Sequence, residues 1–216
     1  VAAFASYPTV ERGGLVWTYM GPANLSPEFS EMEWPRVPAT HVYIHKMFVD
    51  ANYLQTMEGD IDSSHAPFLH SNLDSHEKGV GVSTRATVPF FFRDLRPEWY
   101  VKETDYGLMV GARRNAGDDE YYWRVSQWFV PSYTYIPHRA GRAQQCNVRI
   151  PIDDERTLYF RLWWDVEKPI TDEEVHDAKV MGIDAPELIP GTFYAKENKS
   201  NDYLIDRAAQ RMFSYT

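Results

Sequence analysis

Residues Glu58 to His70 read EGDIDSSHAPFLH and place Asp62, His65 and His70 in the pattern D-x2-H-x4-H. Imidazole and carboxylate are ligands for zinc and for non-haem iron. Two histidines and one carboxylate with open coordination positions describe the facial triad of Fe(II) oxygenases, and a zinc hydrolase uses similar groups. On a regular helix, residues five apart are rotated by about 500°, or about 140° after a full turn. His65 and His70 therefore meet at one ion only if the helix breaks between them. Pro67 stands where a break is needed, because it has no N–H to give to residue 63. Asp62 precedes His65 by three residues, on roughly the same face. It serves either as a further ligand or as the carboxylate that orients His65 through a ring nitrogen. In the competing reading, Asp62 or Ser63 caps a helix and both histidines face water.

The flanking chain must position these groups. Segment 41–50, HVYIHKMFVD, has the β-branched and aromatic content of a strand. A helix is expected from about Asn52, with Tyr53, Leu54 and Met57 at helical spacing. From Ala86 to Asp165 the strand candidates are ATVPFFF, EWYVKET, YGLMVGARR, EYYWRVSQWFV, QQCNVRIPI and TLYFRLWWD, separated by turn signals. Helices are expected over TDEEVHDAKVMG, with Thr171 and Glu174 as a capping box and Gly182 as its stop, and over about Asn201–Met212. An antiparallel sheet with helices on one face makes an α+β fold. Of the Trp163–Trp164 pair, one is expected in the core, and Cys146 reads as a buried small hydrophobe.

Bulk properties narrow the function classes. The chain has 216 residues, 44% hydrophobic and 15% aromatic, enough for one substantial domain with a ring-lined pocket. Its net charge of −9 argues against nucleic acid as a partner. No run approaches the roughly 18 apolar residues of a membrane span, and a cytoplasmic location is expected. One cysteine, Cys146, excludes an internal disulfide and an all-cysteine metal site. The chain starts on Val and stops just after a helical pattern, so a fragment is expected.

The longer stretch NYLQTMEGDIDSSHAPFLHS resembles the iron-binding segment of the Rieske non-haem iron oxygenases, the large subunits of aromatic ring-hydroxylating enzymes. Asn52, Asp62, His65 and His70 fall at the family's motif positions. YPTVERGGLVWTYMGP, YYWRVSQWFVPSYTYIPH, IPIDDERT and NDYLIDR look like its phthalate dioxygenase and aromatic O-demethylase branch.

The resemblance implies a helix-grip catalytic domain over residues 26–216, truncated at its C-terminus, and a remnant of a β Rieske domain over residues 1–25. It implies mononuclear Fe(II) on His65 and His70. The third ligand, an Asp on a later helix, is expected beyond Thr216; Asp202 and Asp206 do not match it. The [2Fe–2S] Rieske cluster belongs to the full-length protein and is not bound by this chain, which lacks its Cys and His motifs. Asp62 is implied as the electron-transfer bridge to a neighbouring subunit's cluster, hence a homotrimer. A reductase would deliver electrons from NAD(P)H, and O2 would hydroxylate or O-demethylate an aromatic substrate. The branch favours aromatic carboxylates, which an arginine fork pairs well. Arg124 is the first candidate for that contact and Arg113 the second. The rival reading is a non-catalytic helix-grip module that binds an apolar ligand.

Overall fold

The structure is a computed structural model, and it describes residues 6–69, 94–137, 143–180 and 186–212. A hairpin, β1 (Thr9–Arg12) and β2 (Leu15–Thr18), comes first. Then follow β3 (Val42–Val49), helix α1 (Tyr53–Ile61) and the short helix α2 (Ala66–Leu69). Six strands come next: β4 (Glu98–Thr104), β5 (Gly107–Gly117), β6 (Glu120–Phe129), β7 (Tyr133–Ile136), β8 (Gln144–Pro151) and β9 (Thr157–Trp164). Helices α3 (Asp172–Val180) and α4 (Arg207–Met212) end the described chain.

Seven strands form one antiparallel sheet in the order β3-β9-β8-β7-β6-β5-β4. Strands β4 to β9 run as a meander, and β3 closes the far side against β9. The β3–β4 connection carries α1 across one face, where it packs on β6, β7 and β8. This is the expected α+β, helix-grip arrangement.

The two faces differ because the strands alternate. One face carries Cys146, Val148, Leu162 and Trp164 in a core with Trp34. Leu15 and Trp17 of the hairpin pack against that core. A large ring taken out of water contributes about 4–6 kcal/mol at ~25 cal/mol per Å². The hairpin turns through Gly13 at φ +58°, and a Cβ there would meet Trp34 Cζ3 at 2.6 Å. The other face, under α1, carries Thr134, Asn147, Arg149, Tyr159, Arg161, Arg114 and Arg124 at matching register positions.

Several expectations change. A short strand that is not among the expected ones, β7, lies between β6 and β8. Both Trp163 and Trp164 are buried, Trp164 in the core with Trp34 and Trp163 on the opposite face beside the Tyr43 ring. Cys146 is buried as expected. Leu54 is exposed, so the packed stripe of α1 is Tyr53, Thr56, Met57 and Asp60 instead. The capping box forms, with Thr171 Oγ1 accepting from Glu174 N and Glu174 Oε2 from Thr171 N. The second closing helix is shorter than expected. Asp202, Tyr203 and Leu204 all take positive φ, and Asp206 then caps α4 through Ala208 N and Ala209 N. ATVPFFF, Gly182 and His70 lie outside the described residues.

Candidate metal centre

Helix α1 begins where Asn52 Oδ1 accepts from Leu54 N at 3.0 Å. It ends at Asp62, whose backbone is extended at φ −67°, ψ 117°. The break thus falls at residues 62–65, ahead of Pro67. Pro67 sits in the first turn of α2, where a missing N–H costs nothing. This break stands before His65, not between the two histidines: α2 runs on from His65, with Phe68 N and Leu69 N donating to His65 O, so the expected break at Pro67 is absent among the described residues, and His70 lies outside them.

Asp62 gathers three donors. Its Oδ1 accepts from Ser64 N at 2.7 Å, and its Oδ2 from His65 N at 3.0 Å. His65 Nδ1 lies 3.1 Å from the same Oδ2. The proton on Nδ1 makes Nε2 the lone-pair nitrogen, the tautomer a metal requires. Burial would raise the Asp62 pKa, but the bonds from Ser64 and His65 outweigh it and hold the carboxyl below its ordinary value. The His65 side chain is 27% exposed and that of Asp62 40%.

Two arginines of the sheet anchor this end of α1. Arg149 grips Asp60 with Nη2 at 2.8 Å from both carboxylate oxygens and Nε at 3.1 Å from Oδ2. Asn147 Nδ2 and Thr134 Oγ1 complete the shell, each at 2.7 Å from Asp60. Arg149 also lies 4.2 Å over the Tyr159 ring, whose hydroxyl donates to Asn147 Oδ1. On the next turn, Arg114 donates to Ser63 O at 2.6 Å and Ser63 Oγ at 3.1 Å. Burial, and then the charge of Arg124, lower the pKa of Arg114.

The expected substrate contacts separate by face. Arg124 stands opposite Ala112 and so shares the α1 side with Arg114. Arg113 lies on the outer side, paired with Glu98 and stacked 4.2 Å over Tyr121. Among the described residues no three His, Cys, Asp or Glu side chains converge to hold a metal ion. Asp62 and His65 fit an iron site as an oriented ligand with its carboxylate partner.

A family model described as "LigXa C-terminal domain like" matches residues 18–216. The chain belongs to the LigXa C-terminal-domain-like family. The 3-chlorobenzoate-3,4-dioxygenase oxygenase subunit of Comamonas testosteroni is 31% identical over 96% of this chain and 50% of its own length. The phthalate 4,5-dioxygenase oxygenase subunit of Pseudomonas putida is 32% identical over 98% of this chain and 48% of its own length. Dicamba monooxygenase bound to 3,6-dichlorosalicylic acid is similar at 19% identity and a TM-score of 0.48, over 82% of this chain and 54% of that one. The chain spans about half the length of the curated relatives it matches.

Reading the sequence of this LigXa-type domain residue by residue missed Asp60, Asn147, Arg149 and the role of Arg114. A signal for Asp60 was present: it follows Met57 by three and Tyr53 by seven, on the packed stripe. Asn147 and Arg149 alternate with Cys146 and Val148, which marks them as belonging to the opposite, polar face.

Proposed function

We propose that this chain is the mononuclear-iron domain of the large subunit of a Rieske terminal oxygenase that hydroxylates or O-demethylates an aromatic, carboxylate-bearing substrate. His65 and His70 hold Fe(II) together with one carboxylate ligand. The observation that carries this reading is the 3.1 Å contact of Asp62 Oδ2 with His65 Nδ1 at the break after α1. When bound, the iron supplies the one-electron O2 chemistry that no side chain offers. The chain's own residues do the positioning. Asp62 fixes the His65 tautomer and, in a homotrimer, is the residue that would link this site to the neighbouring subunit's Rieske cluster for electron transfer. Arg124, on the α1 side of the sheet, pairs with the substrate carboxylate. Residues 1–25, which include the β1–β2 hairpin, are the tail of the Rieske domain that would hold the [2Fe–2S] cluster in the full-length protein. A cytoplasmic NAD(P)H-dependent reductase is the electron donor. Among the described residues no helix is long and apolar enough to cross a membrane.

The relatives reported above are dioxygenase oxygenase subunits, which favours catalysis over a module that only holds an apolar ligand. The test is iron and sulfide analysis of the full-length protein, with and without His65→Ala. We expect one mononuclear iron per subunit, lost in H65A with the [2Fe–2S] absorbance intact, and no NAD(P)H-dependent O2 uptake in the variant. Unchanged O2 uptake by H65A would overturn the proposal. Assaying aromatic acids for a cis-diol or formaldehyde separates the two reactions.

A further inference from the structure

The peptide group between Ser63 and Ser64 is held at both ends. Its carbonyl oxygen accepts from Arg114 Nη2 at 2.6 Å, and its N–H donates to Asp62 Oδ1 at 2.7 Å. A peptide group is a rigid plane, so fixing both ends fixes its orientation. A cation on the carbonyl also polarises the group and strengthens the N–H bond on its far side. Arg114 reaches Asp62 through this one peptide.

Arg114 is itself immobilised. It is 1% exposed, and its Nε donates to Asp94 O at 3.0 Å. Asp94 Oδ2 in turn accepts from Asn115 N, the next residue of β5, at 3.0 Å. The guanidinium presents its donors in a planar fork, so it cannot turn toward one partner without disturbing the others. The turn that carries Asp62 and His65 is thereby referenced to β5, one strand in from the β4 edge of the sheet, rather than to its own helix alone.

We infer that Arg114 is a positioning residue for the Asp62–His65 pair, setting through the Ser63–Ser64 peptide the direction from which Asp62 holds the imidazole. This rests on the reading of His65 as an iron ligand. Arg149 provides the control, because it anchors the same helix through Asp60 without touching the turn.

The test uses the full-length protein with Arg114→Lys, Arg114→Gln, Arg149→Lys and Ser63→Ala. Lysine keeps the charge without the fork; glutamine keeps a planar donor without the charge, and replaces lysine if R114K does not fold. For R114K we expect Fe(II) affinity about 10–100-fold weaker and a broadened electron paramagnetic resonance spectrum of the nitric oxide complex. R149K should lower the melting temperature at least as much, with affinity and line shape near wild type. S63A loses only the hydroxyl contact and should match wild type. Three outcomes overturn the inference: wild-type affinity and spectrum in R114K; R149K and R114K losing affinity in proportion to lost stability; or S63A reproducing the R114K defect. Iron-free 15N-histidine spectra separate this failure from that of the site reading. We expect R114K to deplete the Nδ1–H tautomer of His65. An unchanged His65 signal sinks the clamp, whereas wild-type protein without mononuclear iron sinks the iron reading alone.

Discussion

Asp60 and Asp62 stand two residues apart at the end of α1, and their surroundings divide stability from chemistry. The Asp60 side chain is 9% exposed and receives Arg149, Asn147 and Thr134 from β7 and β8. All of its acceptor capacity goes to the sheet. Asp62 is 40% exposed, and among the described residues its bonds come from its own turn, from two amides and the His65 ring. One acid nails the helix to the polar face of the sheet. The other stays at the surface of the fold, where a neighbouring group can reach it. A helix that continued past Ile61 would rotate residue 62 by about 200° from residue 60 and lose this division. The extended backbone of Asp62 lets a single short segment provide both an anchor and an oriented imidazole.

Removing the anchor should give the largest stability effect. Asp60→Ala leaves the Arg149 guanidinium buried without its carboxylate, and Asn147 and Thr134 lose a partner with it. Breaking one side of a buried ion pair costs about 3–5 kcal/mol. Urea denaturation of D60A should show that loss; a change under 1 kcal/mol would mean the network is replaced by water at no cost.

Asp62→Asn should do the reverse, with a small stability change and a large functional one. The cap survives in part, so the stability loss should stay at or below about 1 kcal/mol. The amide, however, cannot satisfy all three donors. If its NH2 group faces His65, Nδ1 becomes the acceptor and the proton moves to Nε2, away from any metal-binding role. If it faces Ser64, two N–H groups oppose each other. Metal affinity and turnover should fall about 10–100-fold. Equal losses of stability in D60A and D62N would erase the distinction between the two acids.

How far the sequence announced this arrangement depends on whether local or distant groups decide. The long strands announced themselves by alternation, and the hairpin turn at Asp118–Asp119 by its polar pair. β7 did not, because its four residues, set between Pro131 and Pro137, look like a loop until β6 and β8 pair on either side. The Asp62–His65 contact was legible, being a three-residue relation within one turn. A break is expected at Pro67 because proline is the visible helix breaker. The capping carboxylate that ends α1 becomes visible only with its geometry. For Asp60 its place on the packed stripe was legible but what it holds was not, because its partners lie 74 to 89 residues away. A separation of 51 residues hid the partner of Arg114, whose alternation with Arg113 said that one of them faces inward but not what it would hold.

The smallest expected effect is a pH dependence of the Asp62 turn. Burial would raise the Asp62 pKa, and the hydrogen bonds from Ser64 and His65 more than reverse this, leaving it depressed. A carboxyl with a depressed pKa in the fold adds stability above its unfolded value, about 3.9. That stability is lost as pH falls through the folded pKa. Protonated Asp62 and the amide of D62N are then alike in charge. The gap in urea midpoint between wild type and D62N should therefore be constant from about pH 5 to 7 and close as the pH drops below about 4. It should be small, because the side chain is largely open to solvent screening. A gap that persists undiminished to pH 2 would mean that the amide fails by shape rather than by charge. The turn would then depend on the positions of the two carboxylate oxygens and not on their ionisation.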